Sequence, residues 1–181
     1  ALGTQLDSFA DLVTFGIAPA VIVYFVSTLS LFFVENDIEF WLFLILGFIP
    51  LLGAIRLARF NTVAEESSFF IGLPIPAFAL ITISLTWTYL EYSSWMVNIA
   101  NYQVFLPLTI LLIGFLMVSK WKFISLKIKN LNFKTNKLIY MWVFSSIICL
   151  VFLIIFGNIF LILPIVLFLY LLFSLINKFI S

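Results

Sequence analysis

The chain has 181 residues, 65% of them hydrophobic and 9% charged, with a net charge of +1. A water-soluble domain carries about 25% charged residues, so this composition excludes a surface that faces water and indicates a polytopic membrane protein. No histidine is present and Cys149 is the single cysteine, which excludes an internal disulfide, a Cys-based metal site and the commonest general base.

The first eleven residues read A-L-G-T-Q-L-D-S-F-A-D. On a helix, Gly3, Asp7 and Asp11 fall on one stripe, with the two carboxylates a turn apart. Acids that close repel unless something positive offsets them. The first predicted span, about Leu6 to Val34, is longer than one crossing, so its amino end projects from the bilayer with Asp7 and Asp11 at the mouth. Charge at that place is costly and often functional, although first-turn acids also simply favour the helix dipole. Gly16, Ala18, Pro19 and Ala20 lie inside this span; small residues there allow close helix approach, and Pro19 is a candidate kink.

Glu35 to Glu39 reads as an acidic turn, followed by a second span from about Phe40 to Ala58 that closes on R-L-A-R-F-N, Arg56 to Asn61. Thr62 to Ser68 reads as a polar loop. G-L-P-I-P, Gly72 to Pro76, opens the third span, which runs to about Tyr92, with a proline suited to a first helical turn. Trp87, Tyr89, Tyr92 and Trp95 gather near its far end as an interfacial aromatic belt. The fourth span is about Val104 to Val118. Ser119 to Lys137 is a polar connection bearing Lys120, Lys122, Lys127, Lys129, Lys134 and Lys137; tethered between spans, it reads as a cytoplasmic loop facing anionic lipid rather than nucleic acid. The fifth span is about Leu138 to Phe156, Gly157-Asn158 a tight turn, and the sixth span Ile159 to Ile176. The expected fold is therefore an all-α transmembrane helical bundle, a single domain with six spans.

Threading six spans up and down places all nine Lys and Arg residues on one side, with Glu35, Asp37, Glu39 and Glu91 on the other. Positive charge marks the cytoplasmic side. Asp7, Asp11, Arg56, Arg59 and Asn61 then share the cytoplasmic face. Snorkelling or anchoring needs only lysine there; arginines at i and i+3 followed by an amide suit planar recognition of a carboxylate or phosphate.

Gly3, Asp7 and Asp11 carry the spacing G-x3-D-x3-D, which resembles the second half of the signature of CDP-alcohol phosphatidyltransferases. The run L-D-S-F-A-D-L-V-T-F-G-I-A-P-A, together with R-L-A-R-F-N and G-L-P-I-P-A, is similar to the blocks that mark the phosphatidylserine synthase subgroup. These blocks cover about Gly3 to Ala77; beyond Phe78 only the span pattern matches. The signature's first half, D-x2-D-G-x2-A-R, is not in this sequence, and the resemblance implies that it precedes Ala1, within an intact protein of eight spans. It also implies a two-ion site for Mg2+ or Mn2+ with Asp7 and Asp11 as ligands, Asp11 as the catalytic base, and CDP-diacylglycerol bound against Gly3 and Asp7. L-serine would be held by Arg56, Arg59 and Asn61, and the product would be phosphatidylserine, made by a homodimer in the cytoplasmic membrane. A family member with a different acceptor alcohol is an alternative. Outside the family, an ion-coupled transporter or a membrane scaffold also fits an acid pair and an Arg pair at a membrane mouth, although transporters place coupling residues near the midplane.

The threading makes a direct prediction. In a Cys149→Ser background, single cysteines introduced as Asp37→Cys and Asn130→Cys should react with an impermeant thiol reagent from opposite faces of sealed vesicles. Reaction from the same face would contradict the arrangement.

Overall fold

The computed structural model describes residues 2–29, 36–62, 69–96, 102–124, 137–158 and 161–180. In chain order these form α1 (Leu2–Leu12), a π-helical segment (Val13–Ile17), α2 (Ala18–Leu29), α3 (Asn36–Thr62), β1 (Phe69–Ile71), α4 (Ile75–Met96), α5 (Tyr102–Val118), β2 (Lys122–Ile124), α6 (Lys137–Ile155) and α7 (Ile162–Ile180). Each expected span is a helix, and the chain is an all-α membrane bundle. Three helical stretches have the length and apolarity to cross a bilayer, Gln5–Thr28, Glu39–Asn61 and Lys137–Ile155; Ile75–Glu91, Phe105–Val118 and Ile162–Leu175 are shorter apolar stretches. The turn expected at Glu35–Glu39 is helical from Asn36 onward, while most of the Thr62–Ser68 loop and residues 125–136 of the Lys-rich connection lie outside the described residues.

The chain divides into two compact units, Ala1–Ala64 with Leu73–Ser119, and Glu65–Gly72 with Lys120–Ser181. In the first unit α3 and α5 share the most extensive interface, and α2 packs on α3, α4 and α5. Helix α3 shows why. Leu42, Leu46, Ile49, Leu52, Arg56 and Leu57 turn inward and are buried, whereas Trp41, Leu44, Phe48, Leu51 and Ile55 point outward and are exposed. A helix apolar on both faces is built for an apolar surround, and an outward apolar surface of this extent is what lipid, not water, accommodates.

Two glycines set how closely α1, α3 and α4 approach. A Cβ added to Gly53 would stand 2.9 Å from Ile75 Cδ1 and 3.3 Å from Leu12 Cδ1; one added to Gly16 would stand 3.2 Å from Leu12 Cδ1 and 3.9 Å from Ile75 Cδ1. Leu12, beside Asp11, and Ile75, at the start of α4, thus fill a niche made by two absent side chains. This is small-residue packing of the kind that replaces the hydrophobic effect between helices in lipid. The sequence places a kink at Pro19; the structure places the irregularity just before it, where the Ala18 N–H bonds the Val13 carbonyl in π register. One π turn inserts an extra residue and re-phases the helix faces on either side. In this apolar setting the hydroxyls of Thr28, Ser84, Thr86, Thr88 and Thr109 donate to carbonyls three or four residues back in their own helices, which satisfies them without water.

The second unit holds α6, α7 and a two-stranded antiparallel sheet that was not legible in the sequence. Phe69 pairs with Ile124, Phe70 with Phe123 and Ile71 with Lys122. Phe123 is buried and stacks on Tyr170 of α7, with ring centroids 6.5 Å apart; Trp142 of α6 meets Tyr170 edge-on at 6.2 Å and donates from Nε1 to the Val166 carbonyl at 3.2 Å. The tight turn after α6 is as expected. Gly157 has φ +73°, its N–H bonds the Ile154 carbonyl, and Asn158 N–H bonds the Leu153 carbonyl, the paired bonds of a glycine-terminated helix.

The glycine niche yields a matched pair of variants on one helix. Gly53→Ile should be about 1–3 kcal/mol less stable than Gly47→Ile, because a Cβ at Gly47 meets nothing within 4 Å and both changes carry the same helix propensity. Thermal unfolding of the two variants in one detergent measures the difference; equal stabilities would show that the niche does not limit helix approach.

Candidate active site

The acid pair stands on α1. Asp7 is exposed and Asp11 half-buried, one turn apart on the same side of the helix. The space where a side chain at Gly3 would stand is open, with nothing within 4 Å of an added Cβ. The π segment begins two residues beyond Asp11, so the helix carrying the acids ends where its register changes. Such interruptions concentrate at functional sites.

The end of α3 faces this helix. Arg56 is only 8% exposed, the one buried charged side chain among the described residues. Its guanidinium lies 5.1 Å from the Phe60 ring centroid, one turn on, a cation–π contact. Asp11 attracts it electrostatically. Burying a guanidinium in an apolar bundle is expensive without a counter-charge, and Asp11 supplies one. The sequence reading grouped these two residues only by membrane face; the structure makes them electrostatic partners.

Arg59 and Asn61 have separate attachments. Arg59 is exposed, and its Nη1 donates to the Val118 carbonyl at 2.7 Å. Val118 ends α5, so a cation there also suits the negative end of the helix dipole. The same helix end is closed by Leu73 N–H and by both the N–H and the hydroxyl of Ser119, all donating to the Leu116 carbonyl. Arg59 thus ties the end of α3 to the end of α5. Asn61 Nδ2 donates to Ser8 Oγ at 3.0 Å, which links the end of α3 to the residue just after Asp7. Ser8 is the contributor that the sequence reading missed. No spacing signal marks it, since its importance comes from a partner 53 residues away in the chain.

The three elements therefore bring Asp7, Ser8 and Asp11 of α1 to Arg56 and Asn61 of α3, while Arg59 fixes α3 to α5. The donor set can be judged against a divalent ion. Two carboxylates on one stripe are hard oxygen donors of the kind Mg2+ and Mn2+ take. They make part of a coordination sphere, since no three His, Cys, Asp or Glu side chains come together among the described residues.

Comparison with known proteins identifies the family. The family profile of CDP-alcohol phosphatidyltransferases matches residues 1–106, and the chain belongs to that family. The matched stretch contains Gly3, Asp7, Ser8, Asp11, Arg56, Arg59 and Asn61. The chain is 34% identical over 122 residues to the CDP-diacylglycerol–serine O-phosphatidyltransferase of Bacillus subtilis, covering 67% of this chain and 58% of that protein. It is 37% identical over 122 residues to the CDP-diacylglycerol–serine O-phosphatidyltransferase of Methanocaldococcus jannaschii, covering 67% of this chain and 49% of that one. It is also 37% identical over 101 residues to the archaetidylserine synthase of Methanothermobacter thermautotrophicus, covering 54% and 40% respectively. The chain spans about half the length of the curated relatives it matches.

Proposed function

We propose that the whole protein transfers a phosphatidyl group from CDP-diacylglycerol to the hydroxyl of L-serine, giving phosphatidylserine and CMP in phospholipid biosynthesis. The observation that carries this reading is the acid pair on α1 with a buried arginine at Asp11, in the stretch that matches the family. The relatives' names support serine as the acceptor: they differ in the lipid but share serine.

In this reading the acceptor hydroxyl attacks the lipid-bearing phosphorus, its proton passes to Asp11, and the bond to the CMP oxygen breaks. With no histidine in the chain, a positioned carboxylate is the natural base. Asp7 and Asp11 supply ligands to a two-ion Mg2+ or Mn2+ site completed by donors from outside these residues; when bound, such ions offset diphosphate charge and stabilise the leaving group. The open space at Gly3 admits the nucleotide against the helix backbone. Arg56, Arg59 and Asn61 hold the serine carboxylate, Arg56 from beside the base and Arg59 with its fork oriented by the Val118 carbonyl. A planar guanidinium grips a carboxylate with two parallel bonds, which lysine cannot copy. The protein acts as a homodimer in the cytoplasmic membrane, as its family resemblance suggests, and the segregation of its basic residues supports a site facing the cytoplasm.

The two acids have separable roles, and that separation is the test. In the intact protein, Asp11→Asn should lower turnover by about 10²–10⁴-fold, the usual contribution of a positioned base, and leave CDP-diacylglycerol binding largely in place. Asp7→Asn should instead weaken binding of both the divalent ion and CDP-diacylglycerol. Near wild-type turnover of Asp11→Asn at saturating serine would overturn the assignment of the base.

A further inference from the structure

The block G-L-P-I-P, Gly72 to Pro76, stands out in the sequence, yet none of its side chains belongs to the site described above. Its backbone is fixed on both sides of Ile75. Leu73 is fully buried and donates its N–H at 3.0 Å to the Leu116 carbonyl, near the end of α5. The Pro74 carbonyl accepts the Phe78 N–H at 3.0 Å and so opens α4. Pro76 falls in the first turn of that helix, where its missing N–H would have no helical partner. Two flanking prolines with constrained φ and these two bonds give Ile75 a set place, and it is fully buried there.

The δ-methyl of Ile75 reaches the point where α1, α3 and α4 come together. A Cβ on Gly53 would stand 2.9 Å from this methyl and 3.3 Å from Leu12 Cδ1, so both groups converge on the same bare stretch of α3. Gly53 lies three residues before Arg56, and Leu12 directly follows Asp11. The methyl is therefore about one turn from the residues whose charges attract each other, Asp11 and Arg56. Helices in lipid approach until their side chains touch, and a close-packed interior feels the loss of a single methylene. With the Ile75 methyl in place, Leu12 is kept from settling further onto Gly53. Without it, α1 has room to close on α3 and to turn Asp11 relative to Arg56.

We infer that Ile75 is a positioning residue for the reaction: its δ-methyl is a spacer that sets where α1 stands against α3, and through Leu12 and Gly53 it sets Asp11 relative to Arg56. The inference rests on the transferase reading, in which Asp11 is the base and Arg56 grips the acceptor. It gives G-L-P-I-P a task, which is to deliver one methyl group to a fixed point beneath the site without touching substrate. A misplacement of about 1 Å can cost on the order of a hundredfold in rate, so a spacer of this size is enough to matter.

A methyl swap in the whole protein tests this. Ile75→Val deletes the δ-methyl and keeps the β-branch, whereas Gly53→Ala adds a Cβ 2.9 Å from where that methyl stands. Each variant alone should lower kcat for serine-dependent CMP release by about tenfold, with the KM for CDP-diacylglycerol near wild type. In the double variant the added Cβ enters the space that the methyl leaves, and kcat should return most of the way to wild type. Losses that add in the double variant, or a wild-type kcat in either single variant, would overturn the inference. Thermal unfolding of the same proteins in one detergent reads the contact without activity. Recovery of unfolding temperature in the double variant without recovery of kcat would show packing alone and would also overturn the positioning role. Wild-type protein that releases no CMP with serine would instead overturn the transferase reading, a failure visible before any variant is made.

Discussion

The arrangement depends on a buried guanidinium. Arg56 lies on the inner stripe of α3, among Leu52, Gly53 and Leu57, and is almost wholly withdrawn from the surface. An isolated charge in such surroundings costs several kcal/mol. The attraction of Asp11 and the Phe60 ring face offset part of that cost. This need for compensation constrains α1: Asp11 must stay near Arg56, and Asp7, one turn away, is carried with it. That attraction favours the orientation of α1 in which Asp11 is turned toward Arg56.

Packing beneath the acids keeps that orientation. Leu12 follows Asp11 and enters the niche left by Gly16 and Gly53, which it shares with Ile75. Helix rotation would drive Leu12 out of this niche and draw Asp11 away from Arg56 together. Above it, the Asn61–Ser8 bond joins α3 to α1, and the Arg59–Val118 bond joins α3 to α5. Helix α3 is therefore the reference element, tied to both neighbours by polar bonds near its end and by glycine-mediated contact one to two turns earlier. The chemistry proposed for the site needs this rigidity, since a base must be held within hydrogen-bond reach of the proton it takes.

Much of this was legible in the sequence, for identifiable physical reasons. Spans are written in long apolar runs, and Asp7 and Asp11 declare a shared face through their four-residue spacing. The turn at Gly157 was legible because glycine readily takes the positive φ found there. The difference between Arg56 and Arg59 was not legible. Spacing presents them as a pair, yet one is buried and attracted by Asp11 and the other is exposed and bonded to the end of α5. Gly53, three residues before Arg56, carried the signal, since a small residue marks the packed face of a membrane helix. The sheet escaped because strands of three residues are too short to display a period of two, and Lys122 lies in a run that composition alone assigns to a polar loop. Ser8 escaped because its role depends on Asn61, a pairing set by tertiary structure.

The central claim is that this constrained charge cluster serves phosphatidyl transfer to serine, rather than ion coupling or a scaffold role. The most direct measurement is CMP release from CDP-diacylglycerol by the intact protein in a bilayer, followed with and without L-serine and with the lipid products resolved. The account predicts CMP release that depends on serine and matches phosphatidylserine formation mole for mole. Absence of CMP release under those conditions, or release matched to a different acceptor alcohol, would contradict it.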